Sequence, residues 1–358
     1  MRTRAALFRA AGVPLELREI EVAEPGPGQV VVRMAAVGVC GSDLHVVRGE
    51  WSRATPMVLG HEGAGIVEAV GPGVESPAPG DPVVISWAPA CGECAPCLAG
   101  RETACLALRA AIRAGTMLDG TTGLSVDGET VYRMTTVGAL AGHVLVPADT
   151  ALPVPEDVPL EQAALLGCAA LTGVGAVLNG DRVPPGASVL VIGAGGVGQF
   201  VVQGARIAGA GRIVAVDPFP ARREAALALG AAEAFAPEEF AEADAFDVAF
   251  DAVGLAETSE SALAATRGGG TAVLVGMPPA GARLDLDPLA FSNFEKTLTG
   301  SVYGSETPAR SLPRLLGLVR SGELELASLV GPSFPLDQVN EAVDASLAGA
   351  PGRVLVVP

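Results

Sequence analysis

A glycine-rich turn between a short apolar run and an alanine-rich stretch constrains the fold of this chain more than any other feature. The run Ser188–Ile192 has the composition of a buried strand, and the sequence GAGGVG follows it directly at residues 193–198. A G-x-G-x-x-G turn that leaves a strand and opens a helix lets the backbone approach a pyrophosphate, to which the helix N-terminus presents N–H groups. The predicted cofactor-binding residues of this turn are Gly193, Gly195, Gly196, Val197 and Gly198.

An acidic residue follows the glycine turn at a spacing in the sequence that bears on the choice between NAD and NADP. The next predicted strand ends at Asp217, 19 residues after Gly198. A carboxylate near this spacing accepts hydrogen bonds from the adenosine ribose and repels a 2′-phosphate, which favours NAD over NADP. Arg222 and Arg223 weaken this preference, because nearby guanidinium groups can accommodate that phosphate. A helix-capping aspartate is the alternative interpretation.

Composition and the pattern of apolar runs change along the chain and divide it into two predicted domains. Residues 1–155 are rich in glycine, proline and short β-like runs, which predicts a compact barrel-like β domain. Residues 156–308 alternate apolar runs with helical stretches, which predicts a doubly wound parallel sheet. Residues 309–358 end in a strand-like run, and we assign them to the first domain. The six runs of the second domain are Ser188–Gly193, Arg212–Asp217, Ala232–Phe235, Asp247–Asp251, Thr271–Gly276 and Thr297–Val302.

Charge and hydropathy exclude some classes of partner. The net charge is −17, whereas contacts to nucleic-acid phosphates need a basic surface. No apolar run approaches the roughly 20 residues of a membrane-spanning helix. The N-terminal residues show no apolar block typical of a secretory signal. We expect a cytoplasmic protein that binds neither nucleic acid nor membrane.

Four of the six cysteines lie close together in the chain. Cys91, Cys94, Cys97 and Cys105 follow the spacing C-x2-C-x2-C-x7-C. Four thiolates at such spacing suit a closed tetrahedral zinc site that stabilises a loop and leaves no position open for chemistry. An iron–sulfur cluster uses similar ligands, and unrelated buried thiols are a further alternative.

Two other cysteines and one histidine form a second candidate metal site. Cys40 and His61 belong to the first predicted domain, and Cys168 begins a helix-like stretch shortly after the predicted boundary. Two thiolates and one imidazole leave the fourth position of a zinc ion open, as catalytic zinc sites require; alcohol dehydrogenase is the standard example of this ligand set. Each residue taken singly would more often belong to ordinary packing.

In these residues the chain resembles the zinc-containing medium-chain alcohol dehydrogenases over nearly its whole length. GHE at 60–62, the four-cysteine segment, GCAALTGVG at 167–175 and GAGGVG occur in the order of that family. The segment 115–121 further resembles the long form, which includes animal alcohol dehydrogenases and thiol-dependent formaldehyde dehydrogenases. The resemblance implies a GroES-like catalytic domain over 1–155 and 309–358 and a Rossmann NAD-binding domain over 156–308. It also implies a homodimer with two zinc ions per chain.

The resemblance gives roles to the residues near the second metal site. Cys40, His61 and Cys168 match the ligands of the catalytic zinc. Asp43 matches the carboxylate that orients the zinc-bound histidine. Glu62 matches a carboxylate close to the metal.

The remaining matches concern the proton and the cofactor. Ser42 matches the hydroxyl that takes the proton of the substrate, and His45 the histidine that passes this proton to solvent. Thr172 and Val197 match residues beside the nicotinamide, and Arg353 matches a basic residue at the pyrophosphate. The implied reaction is hydride transfer between NAD and a primary or secondary alcohol, or the corresponding aldehyde or ketone.

Five apolar residues are candidate walls of the substrate pocket by position, although core packing explains each of them equally well. They are Trp51, Trp87, Met134, Met277 and Val302.

Three other functions stay open on the sequence alone. One is a formaldehyde dehydrogenase that acts on a low-molecular-weight thiol adduct. Another is a zinc-free quinone reductase of the same fold, against which the metal-ligand set counts. The third is a non-catalytic binding protein, against which Ser42 and His45 argue.

Overall fold

A computed structural model describes residues 1–358, which form nineteen strands and eleven α-helices. The strands are β1 Arg2–Phe8, β2 Glu16–Val22, β3 Gln29–Gly38, β4 Met57–Val58, β5 Glu62–Val70, β6 Pro82–Ile85, β7 Leu124–Val126, β8 Glu129–Thr130, β9 Tyr132–Arg133, β10 His143–Pro147, β11 Ala151–Pro153, β12 Ser188–Ile192, β13 Arg212–Val216, β14 Glu233–Phe235, β15 Phe246–Asp251, β16 Thr266–Leu274, β17 Thr297–Gly300, β18 Val330–Pro335 and β19 Arg353–Val357. The helices are α1 Gly41–Val47, α2 Ala95–Leu98, α3 Leu106–Ala114, α4 Leu160–Leu166, α5 Ala169–Leu178, α6 Gly198–Ile207, α7 Pro220–Ala228, α8 Ala256–Ala265, α9 Pro288–Asn293, α10 Pro308–Arg320 and α11 Val339–Leu347.

The chain divides into two compact units. The first unit contains Met1–Cys168, Thr307–Leu316 and Leu326–Pro358. The second contains Ala169–Glu306 and Gly317–Glu325.

One parallel sheet of six strands forms the centre of the second unit. Its order is β14-β13-β12-β15-β16-β17, and every neighbouring pair is parallel. Numbered along the chain, this order is 3-2-1-4-5-6, the arrangement of dinucleotide-binding doubly wound folds. Parallel strands covered on both faces need continuous apolar runs, and Val189, Leu190 and Val191 of β12 are all fully buried. The predicted doubly wound parallel sheet is confirmed.

The core of the second unit lies where this sheet meets α8. Phe246 of β15 and Leu190 of β12 pack with Ala262 and Leu263 of α8. Burial of an apolar side chain of this size stabilises a fold by about 1.5–3 kcal/mol. The small alanines let the helix lie close to the strands.

Two sheets form the β part of the first unit. One has the order β8-β7-β2-β1-β4-β9, and the other has the order β11-β6-β5-β3-β19-β18 with β10 also paired to β3. Strands β3 and β5 form a long antiparallel pair. In the chain, β3 ends just before Cys40 and β5 begins just after His61, so this pairing brings the two candidate ligands to the same end of the strands. These two sheets agree with the barrel-like β domain predicted for this part of the chain.

The unit boundaries differ from the predicted domain boundaries in three places, of which residues 307–308, in the first unit, are the smallest. Residues 156–168 belong to the first unit, because α4 packs against β3, β5 and β6. Gly317–Glu325 belongs to the second unit, because Gln203 exchanges two hydrogen bonds with the backbone of Glu325 and Arg206 donates to the carbonyl of Glu323. Hydrogen bonds from two side chains of α6 therefore hold residues 317–325 in the second unit. No local sequence pattern predicts these bonds.

No single helix combines the length and hydropathy needed to cross a membrane, although α4 and α5 meet those two criteria when taken together.

Candidate active site

The candidate catalytic metal site begins at the N-terminus of α1. Cys40 is the N-cap residue of this helix, and Asp43 lies one turn further on. The Asp43 carboxylate accepts hydrogen bonds from the backbone N–H of Cys40 at 3.0 Å and of Gly60 at 2.9 Å. Its Oδ1 also lies 3.4 Å from Nδ1 of His61. One buried carboxylate thus fixes two chain segments and one imidazole.

Two buried thiols and one buried imidazole converge at this point. The donor atoms of Cys40, His61 and Cys168 all lie within 4.8 Å of one another. Cys168 occupies the turn between α4 and α5 and belongs to the first unit, not to a helix after the boundary. With Nδ1 of His61 facing Asp43, Nε2 is the imidazole atom left for a metal. The donor set fits Zn²⁺ with one open position.

The surroundings of this cluster lower the pKa of the Cys40 thiol, whereas the hydrogen bond to Cys40 raises the pKa of Cys168. The hydrogen bond from Cys168 lowers the pKa of Cys40 well below its usual value, with Arg353 and His61 adding to the effect. Burial opposes protonation of His61, yet Asp43 and Cys40 raise its pKa well above the usual value. A thiolate is the form of cysteine that binds metal.

A buried ion pair lies beside the cluster. Nε of Arg353 is 2.8 Å from Oε1 of Glu62, and both side chains are buried. Burial raises the pKa of Glu62 to about 7, and Arg353 opposes that rise. Arg353 also donates to the carbonyl of Val39 at 3.2 Å, while its Nη2 is buried without a hydrogen bond. Gly38 leaves room for the carboxylate, since a Cβ there would be 2.5 Å from Oε1 of Glu62.

The predicted relay residues share one face of α1. Ser42 and His45 are three residues apart, a spacing that places side chains next to each other on a helix. Nδ1 of His45 makes a short contact with Oε2 of Glu50, just beyond the end of the helix. The ring of Trp51 stacks on His45, with centroids 4.6 Å apart and planes inclined by 20°.

The glycine turn has the geometry that close approach to a phosphate requires. Gly193 has φ +88°, a conformation that L side chains rarely adopt. A Cβ at Gly198 would lie 1.7 Å from the carbonyl oxygen of Gly193, so only glycine permits this packing. Gly195 and Gly196 are partly exposed between them, and Val197 precedes α6 as its N-cap residue. Thr172 lies on α5, next to a glycine that packs against the backbone of Val197.

Asp217 lies directly against this turn. Its Oδ2 accepts a hydrogen bond from the N–H of Ala194 at 2.9 Å, and Oδ1 accepts one from Phe219 at 2.9 Å. Each carboxylate oxygen keeps a further lone pair that a ribose hydroxyl can use. Arg222 approaches the same carboxylate to 3.9 Å and lies 3.6 Å from the position of a Cβ on Gly195.

The four remaining thiols form a second cluster. The distances between sulfurs are 3.9 Å for Cys91 and Cys97, 3.4 Å for Cys94 and Cys97, 3.9 Å for Cys94 and Cys105, and 3.5 Å for Cys91 and Cys105. Four sulfurs at 2.3 Å from one zinc ion would be about 3.8 Å apart. The N–H of Leu106 lowers the pKa of Cys94 to about 6, whereas burial and neighbouring thiols raise that of Cys97 to about 12. A bound cation would stabilise the thiolate form of all four side chains.

The five candidate pocket residues do not all belong to one unit. Trp51, Trp87 and Met134 are in the first unit, and Met277 and Val302 are in the second. Trp87 packs edge-on against His61 with ring centroids 6.2 Å apart. Met134 is almost completely buried, whereas Met277 is 41% exposed.

Sequence reasoning missed Glu50 and Arg53. Glu50 contacts His45 from beyond the end of α1, where no helical spacing relates the two residues. Arg53 packs over Trp51 at 5.2 Å. Their position just after the candidate relay was the only available signal.

Two family models match the chain. The alcohol dehydrogenase GroES-like domain matches residues 26–156, and the zinc-binding dehydrogenase model matches residues 196–320. These matches confirm the predicted pairing of a GroES-like domain with a nucleotide-binding dehydrogenase domain.

Individual proteins match over nearly the full length. S-(hydroxymethyl)glutathione dehydrogenase of Photobacterium damsela subsp. piscicida is 35% identical, covering 99% of this chain and all of that protein. The solved alcohol dehydrogenase zinc-binding domain protein of Burkholderia ambifaria is 35% identical with a TM-score of 0.93, covering all of this chain and 99% of the other. Benzyl alcohol dehydrogenase of Acinetobacter calcoaceticus is 29% identical with a TM-score of 0.92 and the same coverage.

Proposed function

The chain belongs to the zinc-dependent medium-chain alcohol dehydrogenase family, and we propose that it uses NAD and two zinc ions to interconvert alcohols with aldehydes or ketones. Membership of this family makes the protein an oxidoreductase. The observation that carries the proposal is the convergence of Cys40, His61 and Cys168 within 4.8 Å in a buried site.

The first part of the proposal concerns the site that these three residues form. When bound there, Zn²⁺ acts as a Lewis acid that lowers the pKa of an alcohol or polarises a carbonyl group. Asp43 holds the imidazole of His61 in one orientation, as carboxylates behind metal-binding histidines commonly do. Glu62 and Arg353 balance each other's charge in the buried region beside it.

Proton removal is assigned to two side chains of α1. We assign the first transfer to the half-buried hydroxyl of Ser42, which lies on α1 two residues beyond Cys40. His45 lies three residues further on, next to Glu50, and passes the proton onward to solvent. An imidazole exchanges protons readily near neutral pH.

The second part concerns the cofactor. Asp217 lies against the glycine turn and brings a buried negative charge close to where the adenosine ribose would bind. We assign NAD on this basis, since a 2′-phosphate would meet that charge. Arg222 offsets part of the repulsion. Titration with NADH and NADPH compares the two directly, and tighter binding of NADPH would contradict the assignment.

The second zinc ion is assigned to Cys91, Cys94, Cys97 and Cys105. Their sulfur distances of 3.4–3.9 Å fit a closed tetrahedral site. This zinc would stabilise the segment that carries α2 and the start of α3.

We further assign a homodimer in the cytoplasm. Strand β17 is one of the two edge strands of the parallel sheet, and Leu289 and Phe294 just before it are 68% and 53% exposed. Open strand edges and exposed apolar side chains are common at subunit contacts. Sedimentation would show a particle of twice the chain mass of 35.8 kDa. The cytoplasm suits six free cysteines, because it keeps thiols reduced.

A thiol-adduct formaldehyde dehydrogenase is the second candidate, favoured by the 35% identity to an S-(hydroxymethyl)glutathione dehydrogenase. By resemblance to thiol-dependent formaldehyde dehydrogenases, Arg109 matches an arginine that binds a carboxylate of the substrate. Arg109 lies on α3, and its Nη2 donates to the carbonyl of Thr103 at 3.0 Å, just before that helix. Formaldehyde oxidation that depends on glutathione or mycothiol would favour this candidate over the first.

Replacement of one metal ligand tests the proposed function. We expect Cys40→Ser to lower kcat by about 1000-fold or more, because the metal supplies several kcal/mol of charge stabilisation. NADH binding, measured by fluorescence titration, should change little, since the glycine turn belongs to the other unit. Metal analysis should show one zinc fewer per chain.

Cys91→Ser is the matched control, because it removes a thiol of the other cluster. We expect it to lower thermal stability more than Cys40→Ser does. Wild-type activity in Cys40→Ser, or a loss of NADH binding equal to its loss of activity, would refute the proposal.

A further inference from the structure

A half-buried guanidinium without an acidic partner lies beside the proposed proton relay. Arg53 follows α1, in the loop that leads to β4. Its Nη1 donates to the carbonyl of Ser52 at 3.0 Å, and its guanidinium carbon is 5.2 Å from the centroid of the Trp51 ring. Its Nε is buried and makes no hydrogen bond within the protein. An aromatic ring and one carbonyl, rather than a carboxylate, therefore hold this cation.

The Arg53 guanidinium lacks an acidic partner although the protein is rich in acidic residues. The chain has 40 acidic and 23 basic residues, and neighbouring Arg48 lies 3.9 Å from Glu50. No carboxylate lies within ion-pair distance of Arg53. Burial lowers its pKa, and no acidic group offsets that shift. A partly desolvated cation without a counter-ion is costly, and an anionic group on a ligand would offset that cost.

Contacts connect Arg53 to the candidate metal site. Its guanidinium lies over Trp51, whose ring stacks on His45. His45 is five residues beyond Cys40 along α1, which is about 7.5 Å of helix. Arg53 is thus linked through two ring contacts to the helix whose N-cap residue is Cys40.

We propose that Arg53 binds a carboxylate of the substrate, so that the enzyme prefers alcohols and aldehydes with a carboxylate remote from the reacting carbon. The planar guanidinium fork matches a carboxylate in two parallel hydrogen bonds. Nη2 makes no hydrogen bond within the protein and is available for one of them. This inference rests on the proposed dehydrogenase activity, whose failure the test must distinguish.

The test compares ω-oxo acids of four to ten carbons with the neutral aldehydes of equal length, using NADH and the zinc-loaded enzyme. We expect the wild type to reduce at least one ω-oxo acid with kcat/KM about 10-fold above that of its neutral partner, as for a charge-assisted hydrogen bond. Arg53→Gln should abolish this ratio while the values for neutral aldehydes stay within about twofold, and Arg53→Lys should restore part of it.

A second measurement does not depend on turnover. Calorimetric titration with the α,ω-dicarboxylate of the preferred length should show binding to the wild type and about 10-fold weaker binding to Arg53→Gln. Arg4→Gln is the matched control, because it removes one exposed arginine on β1 and the same unit of charge. It should leave both the ratio and the binding unchanged.

Each other outcome has a distinct meaning. Equal preference for both aldehyde series in the wild type would overturn the inference and leave the proposed function standing. If Arg53→Gln lowered kcat/KM equally for ω-oxo acids and neutral aldehydes, the inference would fail and Arg53 would instead support the packing of Trp51. If Arg53→Gln weakened NADH binding, the inference would fail and Arg53 would instead contact the cofactor. Reduction of no aldehyde at all by the wild type would refute the proposed function itself.

Discussion

At the scale of single residues, Asp43 shows how one carboxylate organises the candidate metal site. It accepts hydrogen bonds from the backbone of Cys40 and Gly60, the latter next to His61, and it lies 3.4 Å from that imidazole. Two of the three proposed ligands, Cys40 and His61, therefore take their position from the same side chain. A buried carboxylate can do this because its two oxygens offer about four acceptor sites.

Glu50 plays a comparable part for His45, which leads to a prediction. We expect Glu50→Gln to lower kcat for alcohol oxidation about 10-fold, because partners that orient a functional histidine commonly contribute 10- to 100-fold. Added imidazole buffer should restore part of the activity of this variant, since a mobile base can carry the proton in place of a misdirected His45. Steady-state rates over a range of imidazole concentrations measure the effect.

Arg48→Gln is the control for the Glu50 prediction. Arg48 approaches the other oxygen of Glu50, Oε1, at 3.9 Å. Its replacement should leave the rate insensitive to imidazole. If imidazole accelerated wild type and Glu50→Gln equally, the orienting role of Glu50 would be excluded.

At the scale of elements, a reciprocal set of hydrogen bonds joins the starts of β12 and β15. Asp247 accepts from the N–H and the hydroxyl of Ser188 at 2.8 and 2.6 Å, and Ser188 accepts from the N–H of Asp247 at 3.0 Å. Arg267 of β16 donates to the same carboxylate at 2.6 Å. Three neighbouring strands of the parallel sheet therefore meet at one side chain.

These hydrogen bonds predict how stability depends on pH. The bonds from Ser188, with Arg267, hold the pKa of Asp247 below its ordinary value of 3.8. A carboxylate with a lowered pKa in the folded state stabilises it above the unfolded pKa, and this contribution is lost as the pH falls through the folded value. We expect Asp247→Asn to lower the free energy of unfolding at pH 7 by about 1 kcal/mol, a modest value because solvent reaches the carboxylate.

Urea unfolding of wild type and Asp247→Asn at pH 7 and below pH 4 measures this effect. The difference in the free energy of unfolding between the two proteins should be smaller at the lower pH. Exposed Asp157 offers the matched control, Asp157→Asn, which should show no gap at either pH. A gap for Asp247→Asn that stayed constant with pH would mean that the carboxylate charge does not stabilise the sheet.

At the scale of the whole molecule, the two metal sites differ in what they would contribute. The site of Cys40, His61 and Cys168 has three donors, whereas the other has four sulfurs and no open position. Closed zinc sites contribute directly to folding, because the binding free energy becomes folding free energy. Loss of metal should therefore affect activity and stability separately.

We expect a zinc chelator such as dipicolinate to remove the metal in two steps. The first step should remove one zinc per chain and abolish turnover with little change in Tm, because an open site exchanges metal more easily. The second should need higher chelator concentration and lower Tm by several degrees. Metal analysis of each fraction, with Tm from circular dichroism, follows both steps. Simultaneous loss of both zinc ions and of the fold would contradict the assignment of separate roles.

The sequence by itself determined the features that lie within short stretches of chain. The glycine turn, the strand-like runs of the parallel sheet and the four-cysteine spacing are local patterns, because backbone conformation and chelation by near neighbours depend on adjacent residues. Scarcity helped as well, since three histidines and six cysteines left few candidate ligands.

Only the tertiary structure decided which distant residues meet. It placed Arg353 against Glu62, Glu50 against His45 and Arg53 over Trp51, and it attached Gly317–Glu325 to the second unit. Arg353 and Glu62 lie in β19 and β5, far apart in the chain, whereas Glu50, Trp51 and Arg53 follow the end of α1, where the regular helical spacing of side chains stops. No periodicity relates those residues, so their pairing follows from packing of the whole chain rather than from any segment of it.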